Sequence, residues 1–595
     1  MTRHMKRLFD ILERNAREHP NRTAFAKKEN NKWKEYHNKD VVLKVENLAA
    51  SILNLIGLPD IYTPDKMEKI GIISNNRPEW LITDLAVQQA SAILTPIYPT
   101  VGIPDLEFIL NESQIRIIFV SNSEIYERFK SVLENGNYRI YSFDKLEGVP
   151  NWETLLVQQS SESLLVQSKN NITEDTLATI IYTSGTTGNP KGVMLTHKNI
   201  MSNVKDCMPQ FHFAKDGEKA LSFLPLNHIF EKTISYIYMY KGAQIYYAES
   251  MDTIGDNLKE VQPVVFTCVP RVLEKVFDKI VAKGKELKGI KRGLFFWALK
   301  LAQRYDNHKN QGVWYNLQLK LANKVVFSKW REALGGRVRA VVSGSAALNP
   351  ELIRIFTAAG IIIMEGYGLT ETSPVISVNT YDNDGRVFGT VGPLIQNVEV
   401  KIAEDGEILC KGNNVMKGYY NNEAGTKEVF TPDGWFRTGD IGMLVDNKFL
   451  KITDRKKEIF KTSGGKYVAP QFVENIYRSV DSIANLMVLG DGKKFVSALI
   501  VPDWDVVAGK INNNQPIGIA DRPAWIDKPE LKELIQKGIE WANPKINHIE
   551  QVKAFRIVPD DWTVENGILT PKLSLRRKAV MGKYGDLIRT IYQEQ

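Results

Sequence analysis

The stretch Thr183-Ser-Gly-Thr-Thr-Gly-Asn-Pro-Lys-Gly192 gathers four hydroxyls and one lysine around three glycines. Glycine admits backbone conformations that turn successive N–H groups toward one point. Ser184, Thr186 and Thr187 add hydroxyl donors, and Lys191 adds a compact positive charge. Such a loop between two strands is suited to cradling phosphate. Gly185 and Gly188 stand three apart and Pro190 precedes the lysine, so the loop is not the GxxxxGK[ST] form. A solvated hairpin turn is the plainer reading of any one Gly/Ser/Thr loop. The density of donors here favours phosphate.

Three further segments carry side chains of matching chemistry. Gly366-Tyr-Gly-Leu-Thr-Glu-Thr372 sets a hydroxyl and a carboxylate, Thr370 and Glu371, after a glycine pair. Asp433-Gly-Trp-Phe-Arg-Thr-Gly-Asp440 ends on an acid. Asp454-Arg455 opens a strongly polar run that continues through Lys457 and Lys461. With the glycine loop, these segments resemble, in order, the motifs of the acyl-adenylate-forming (AMP-binding) superfamily. One motif would be weak; four in order are specific. Leu224-Pro-Leu-Asn-His-Ile-Phe-Glu231, Val269 to Phe277 and Lys461 to Pro470 are similar to segments of the long-chain fatty-acid–CoA ligases.

The resemblance implies ATP-dependent activation of a long-chain fatty acid as an acyl-adenylate, then transfer to coenzyme A. The products would be acyl-CoA, AMP and pyrophosphate. ATP, Mg²⁺ and coenzyme A are the implied small molecules. Thr183, Ser184, Gly185, Thr186, Thr187, Gly188 and Lys191 would hold phosphates. Thr370 would donate to the α-phosphate. Glu371 would ligate Mg²⁺, an ion that takes carboxylate and phosphate oxygens. Gly344, Ser345, Ala346 and Tyr367 would wall the adenine, and Gly366 and Gly368 would also bind the nucleotide. Asp440 and Arg455 would engage the ribose, His228 would lie near the substrate carboxylate, and Asp454 would be a hinge. The family's C-terminal lysine position holds Ser574 here, judged by spacing to Arg576-Arg577. Lys572, two residues earlier, would share its strand face and is the candidate for that catalytic role. Two other readings stay open. One is an adenylate former that delivers to a carrier protein; the other is a non-catalytic nucleotide- or acyl-binding homologue.

The elements that must position these residues alternate between strand and helix. Ala178–Tyr182 and Val193–Leu195 flank the glycine loop. Leu221–Leu224, Val264–Val269, Val338–Val342 and Ile361–Met364 read as buried strands. A long helix is expected from Pro270 to about Tyr305, and a shorter one over Pro350–Ala359. This alternation predicts an α/β fold. Texture changes at Asp454, where the domain boundary is expected. The resemblance implies a large multi-sheet N-terminal domain, 1–453, that binds AMP and the acyl substrate, and a small mobile α+β domain, 454–595.

The chain has 595 residues, more than one core supports, with 77 basic and 69 acidic residues and a net charge of +8. That balance suits an anionic ligand or membrane surface without demanding nucleic acid. Three scattered cysteines and no HExxH spacing predict neither a disulfide framework nor a protein-only metal site. No apolar run approaches the roughly 20 residues of a spanning helix, and no signal peptide is read at the start. The expectation is a cytoplasmic protein, monomeric or homodimeric, with a peripheral membrane contact open to it. The basic-then-apolar segment Lys283 to Arg304, around Phe295, is the sequence feature behind that contact, and its plainer reading is a helix packed on the large domain with a solvated basic edge.

Overall fold

The computed structural model describes residues 5–157, 162–183, 189–563, 566–570 and 575–593. The chain divides into two compact units. One comprises residues 1–401, 409–437 and 444–450; the other comprises 402–408, 438–443 and 451–595. Four strands, Val398–Ile402, Glu407–Gly412, Phe436–Val445 and Phe449–Arg455, carry residues of both units.

Among the described residues, the first unit holds two large sheets. The seven-stranded one runs Gly418–Tyr419, Lys191–Thr196, Leu177–Thr183, Ile93–Ile97, Lys69–Ile73, Ile117–Val120, Arg139–Ser142. From Leu177–Thr183 to Arg139–Ser142 its pairings are parallel. Lys69–Ile73, Ile93–Ile97 and Ile117–Val120 are buried at every residue. Parallel strands covered on both faces require such unbroken apolar runs. The eight-stranded sheet runs Val375–Val378, Ile362–Gly368, Ala340–Ser343, Val265–Cys268, Lys219–Ser222, Gln244–Tyr247, Thr23–Glu29, Lys32–His37.

The helix Ile229–Lys241 is buried on nearly every side, and it buries charge as well as apolar surface. Lys232 is fully buried, pairs with Asp84, and lies 5.1 Å from the centre of the Trp80 ring. Tyr236 donates to the same carboxylate at 2.7 Å. A buried ion pair needs such added hydrogen bonds to offset desolvation.

The stretch expected as one helix from Pro270 is two. Pro270–Glu286 ends at Leu287 and Lys288, whose backbones are extended, and Gly289–Gln303 follows. Gly289 has φ +56°, which breaks the helical path. The apolar side of the second helix turns inward, as in the packed reading of the basic-then-apolar segment. Phe295 is buried and meets Trp330 at 6.0 Å. A side chain at Gly284 would collide with the Phe295 ring.

The second unit centres on Ile483–Leu489, Val496–Pro502 and Val552–Ile557. Alternation along Val496–Pro502 sends Val496, Ala498 and Ile500 into one core, shared with Pro470–Tyr477 and Pro529–Ala542. Leu499 and Val501 enter a second core with Val580, Ile588 and Ile591. This two-residue period gives one strand two apolar faces. The chain is thus α/β, with an α+β unit toward its end.

Candidate active site

Thr183 and Lys191 end two antiparallel strands and lie directly opposite each other. The loop they close therefore springs from a fixed base. Its residues Ser184, Gly185, Thr186, Thr187 and Gly188 lie outside the described residues.

A third short strand fixes the far side. Gly418–Tyr419 pairs with Val193 and Met194, and the Tyr420 N–H donates to the Gly192 carbonyl at 2.7 Å. This pairing sets the Tyr419 ring under the Lys191 ammonium, 4.9 Å from the ring centre. The Tyr419 hydroxyl donates to Glu371 Oε1 at 2.9 Å. Burial and the Glu371 carboxylate both push the Tyr419 phenol up, so it stays a donor. Lys191, Tyr419 and Glu371, scattered over more than two hundred residues, form one polar cluster. Tyr419 is the member that sequence reasoning missed; nothing in its neighbourhood marks it.

Glu371 sits in a single 3₁₀ turn, Thr370–Thr372, after the strand Ile362–Gly368. The turn is pinned from both ends. The Leu369 N–H donates to the Thr372 hydroxyl at 3.0 Å, and that hydroxyl donates to the Pro374 carbonyl at 2.6 Å. The Met416 N–H donates to the Glu371 carbonyl at 2.8 Å. Gly368 has no space for a side chain, because a Cβ there would lie 1.7 Å from the Pro374 carbonyl oxygen.

Beside this turn lies a pocket that opens to solvent. Its polar wall is Gly344, Ser345, Gly366, Tyr367 and Gly368; its apolar wall includes Phe211, Ile234, Ile237, Val375 and Val378. Ser345 takes φ +70°, a strained conformation for a residue with a side chain, at the turn leaving Ala340–Ser343. Ala346 follows, exposed. Gly344 sits against Phe230, whose ring would be 3.2 Å from any Cβ placed there.

His228 stands at the pocket wall as the N-cap of Ile229–Lys241. Its Nδ1 accepts the Phe230 N–H at 3.0 Å, which leaves the ring proton on Nε2. Ile234 and Ile237 follow along the same helix. At 1.5 Å per residue, Ile237 lies about 13 Å along the axis from His228. Ile234 and Ile237 line the pocket from this helix, and Phe211, Pro374, Val375 and Val378 line it from other elements.

Asp440 and Arg455 belong to the second unit and pair with each other, Arg455 Nε to Asp440 Oδ1 at 2.9 Å. Asp440 is buried and Arg455 half exposed, so the arginine screens the acid from one side. The Gly439 N–H donates to Glu407 at 3.1 Å, and Lys456 reaches the other Glu407 oxygen at 2.8 Å. Asp454 is buried, accepting the Arg455 N–H at 2.5 Å and the Gln471 N–H at 3.2 Å. Burial, reinforced by Glu458 and Glu474, pushes its carboxyl up to about 7. Lys572 and Ser574 lie outside the described residues.

Among the described residues no three His, Cys, Asp or Glu side chains converge on a metal position. A hard divalent cation would need oxygens from a substrate in addition to Glu371. This fits Mg²⁺ held between a protein carboxylate and phosphates.

A family model described as AMP-binding enzyme matches residues 12–420, and one described as AMP-binding enzyme C-terminal domain matches 457–595. A long-chain-fatty-acid–CoA ligase of Mycobacterium bovis is 33% identical over 557 residues, covering 92% of this chain and 91% of its own. Long-chain-fatty-acid–CoA ligase 5 of Rattus norvegicus is 31% identical over 628 residues, covering 99% and 89%. Among solved structures, ATP-bound MatB from Rhodopseudomonas palustris matches with a TM-score of 0.71 at 20% identity, covering 98% of this chain and 99% of that one. The adenylation domain of a carboxylate reductase from Mycobacterium chelonae matches at 0.73 and 20%, covering 98% and 91%. At that identity the two structures speak for the fold.

Proposed function

The chain belongs to the AMP-binding enzyme family, and from that premise we propose that it joins a long-chain fatty acid to coenzyme A at the expense of ATP. The acid's carboxylate attacks the α-phosphate, pyrophosphate leaves, and an acyl-adenylate forms. The thiolate of coenzyme A then attacks the acyl carbon, and AMP leaves. The observation that carries this reading is a single pocket with two chemistries. It is apolar from Ile234 to Val378 and polar at Gly344, Ser345 and Tyr367, with His228 at its wall. A fatty acid needs that combination: cover for the chain and open backbone for the activated carboxyl.

In this reading the glycine loop and Lys191 bind the β- and γ-phosphates. Thr370 donates its hydroxyl to the α-phosphate. Mg²⁺, held by Glu371 and the phosphates, would neutralise charge that develops there. Tyr419 orients the Glu371 carboxylate and offers its ring face to Lys191. Tyr367 lays an aromatic face against the adenine. Asp440 accepts from the ribose hydroxyls, aided by Arg455. His228, with its proton on Nε2, donates toward the substrate carboxyl. Lys572 supplies the cation between carboxylate and α-phosphate.

The two half-reactions ask for different donors near the same carbon, and a hinge at Asp454 would let one small domain serve both. Asp454→Pro should then slow thioester formation more than adenylation in single-turnover assays. Equal loss of both steps rules the hinge out. We place the reaction in the cytoplasm, where ATP and coenzyme A are at hand.

The reading is tested by AMP release from ATP and Mg²⁺ with palmitate, octanoate or acetate, each with and without coenzyme A. AMP release that requires both palmitate and coenzyme A is expected. Turnover to adenylate without any need for coenzyme A would point to a carrier protein as acceptor. No turnover with any acid would leave a nucleotide-binding homologue.

A further inference from the structure

The helix Val313–Ala322, continued by the π-helical turn Asn323–Phe327, presents apolar side chains to water. Trp314 is 74% exposed, Leu317 and Leu321 are each 52% exposed, and Val325 is 45% exposed. These four follow one another at spacings of three, four and four residues, so they line a single stripe. Val313 extends it at the N-terminal end. The opposite face is already used: Tyr315 and Ala322 are buried, and the Tyr315 hydroxyl donates to the Leu301 carbonyl at 2.8 Å. The stripe is therefore surplus to the core. Contiguous apolar surface of this kind marks an interaction site.

Charge says what kind. Between residues 283 and 325 the chain carries ten lysines and arginines and two acids. Their balance of +8 equals the net charge of the whole chain. All ten basic residues are exposed. Lys320 and Lys324 border the stripe. The neighbouring helix Gly289–Gln303 brings more. Trp297 Nε1 donates to Gln318, and Tyr315 meets Leu301; one number rises as the other falls, so the helices are antiparallel. The start of Gly289–Gln303 therefore lies by the end of the stripe, adding Lys291, Arg292 and the 83% exposed Ile290.

We propose that this helix pair docks the protein on a lipid bilayer bearing anionic headgroups. Trp314, Leu317, Leu321 and Val325 enter the headgroup boundary, and the bordering lysines and arginines meet the headgroup charge. Tryptophan is at home at that depth. A second copy of the chain is the poorer occupant. A twofold contact through this face would bring two strongly basic surfaces together. Nucleic acid would leave the apolar stripe without a role. The inference is independent of which acid the enzyme activates, since its test does not depend on turnover.

The test is flotation of the full chain with vesicles of phosphatidylcholine alone and with vesicles containing about one third phosphatidylglycerol. The expected result is flotation with the anionic vesicles, little with the neutral ones, and release by high salt. Leu317→Asp with Leu321→Asp should lower the bound fraction about tenfold or more. Lys291→Glu with Lys320→Glu and Lys324→Glu should do the same while leaving the stripe intact. All five positions are exposed, and unchanged thermal unfolding of each variant confirms its fold. Failure of the wild type to float with anionic vesicles would overturn the proposal. So would variants that float as well as the wild type, or a wild-type dimer in sedimentation that Leu317→Asp with Leu321→Asp splits.

Discussion

Replacing Tyr419 by phenylalanine removes one oxygen and little else. The ring stays between the strand pairing with Val193 and the Lys191 ammonium. The lost group is the donor to Glu371 Oε1. A hydrogen bond to a charged acceptor contributes about 1.5–3 kcal/mol. Glu371 is only half-buried, so water can replace part of it, and the lower end applies. Adenylation at limiting Mg²⁺ and ATP should therefore fall about tenfold. Tyr419→Leu also removes the ring face from Lys191, a cation–π contact worth about 0.5–1 kcal/mol at a partly exposed site. It should fall a few times further. The assay is pyrophosphate release in a single turnover, followed across a Mg²⁺ titration. If the hydroxyl acts by aiming a carboxylate that binds the metal, raising Mg²⁺ should restore most of the rate in Tyr419→Phe. A Tyr419→Phe enzyme within twofold of the wild type at limiting Mg²⁺ would refute the reasoning. So would a loss that no Mg²⁺ concentration relieves.

Three other outcomes follow from the same structure. Ile237→Trp fills the pocket by about two methylenes at a point roughly 13 Å from His228. At about 0.8 kcal/mol per methylene, kcat/KM for palmitate should drop at least tenfold while that for octanoate holds; equal loss for both acids counts against this pocket as the acyl site. Lys232→Met leaves Asp84 buried without its cation and should cost about 3–5 kcal/mol, read from urea unfolding. Lys232→Met with Asp84→Leu should recover most of that, and no recovery would contradict a paired role. Asp454 has its carboxyl pushed above the ordinary value of 3.8 to about 7, so the folded state holds its proton more tightly than the unfolded one. Its contribution to stability is complete below about pH 4 and lost as pH rises through about 7. Asp454→Asn cannot ionise and should show a flatter unfolding midpoint between those pH values; an unchanged slope would mean that another group sets it.

Much of this site is legible in the sequence because its parts are local. The strand–loop–strand around Thr183 and Lys191, the turn carrying Thr370 and Glu371, and the strand leading to Asp440 each announce themselves by glycine spacing and apolar runs. What is not legible depends on distant pairing. Tyr419 joins the cluster only because Gly418–Tyr419 adds to the edge beside Val193, a partner more than two hundred residues away. The far wall of the pocket comes from Phe211 and Val375, which look like any other core residues. The helix break at Leu287 is hard to read because its one mark, Gly289, is among three glycines of the basic run 283–293, and Gly284 and Gly293 lie within helices. Phe295 suits a packed helix or a membrane face by sequence, and it fills the space over Gly284. The outward stripe at Trp314 carries the same spacing as an inward one, so only burial distinguishes them.

Attack of a carboxylate oxygen on the α-phosphate of ATP would carry that oxygen into the nucleotide. It is tested most directly with palmitate labelled with ¹⁸O in both carboxyl oxygens, followed by mass spectrometry of the nucleotide after turnover with coenzyme A. The expected products are AMP carrying one ¹⁸O, unlabelled pyrophosphate, and palmitoyl-CoA retaining one. Label in inorganic phosphate with ADP as the nucleotide would mean an acyl phosphate instead and rule the adenylate out.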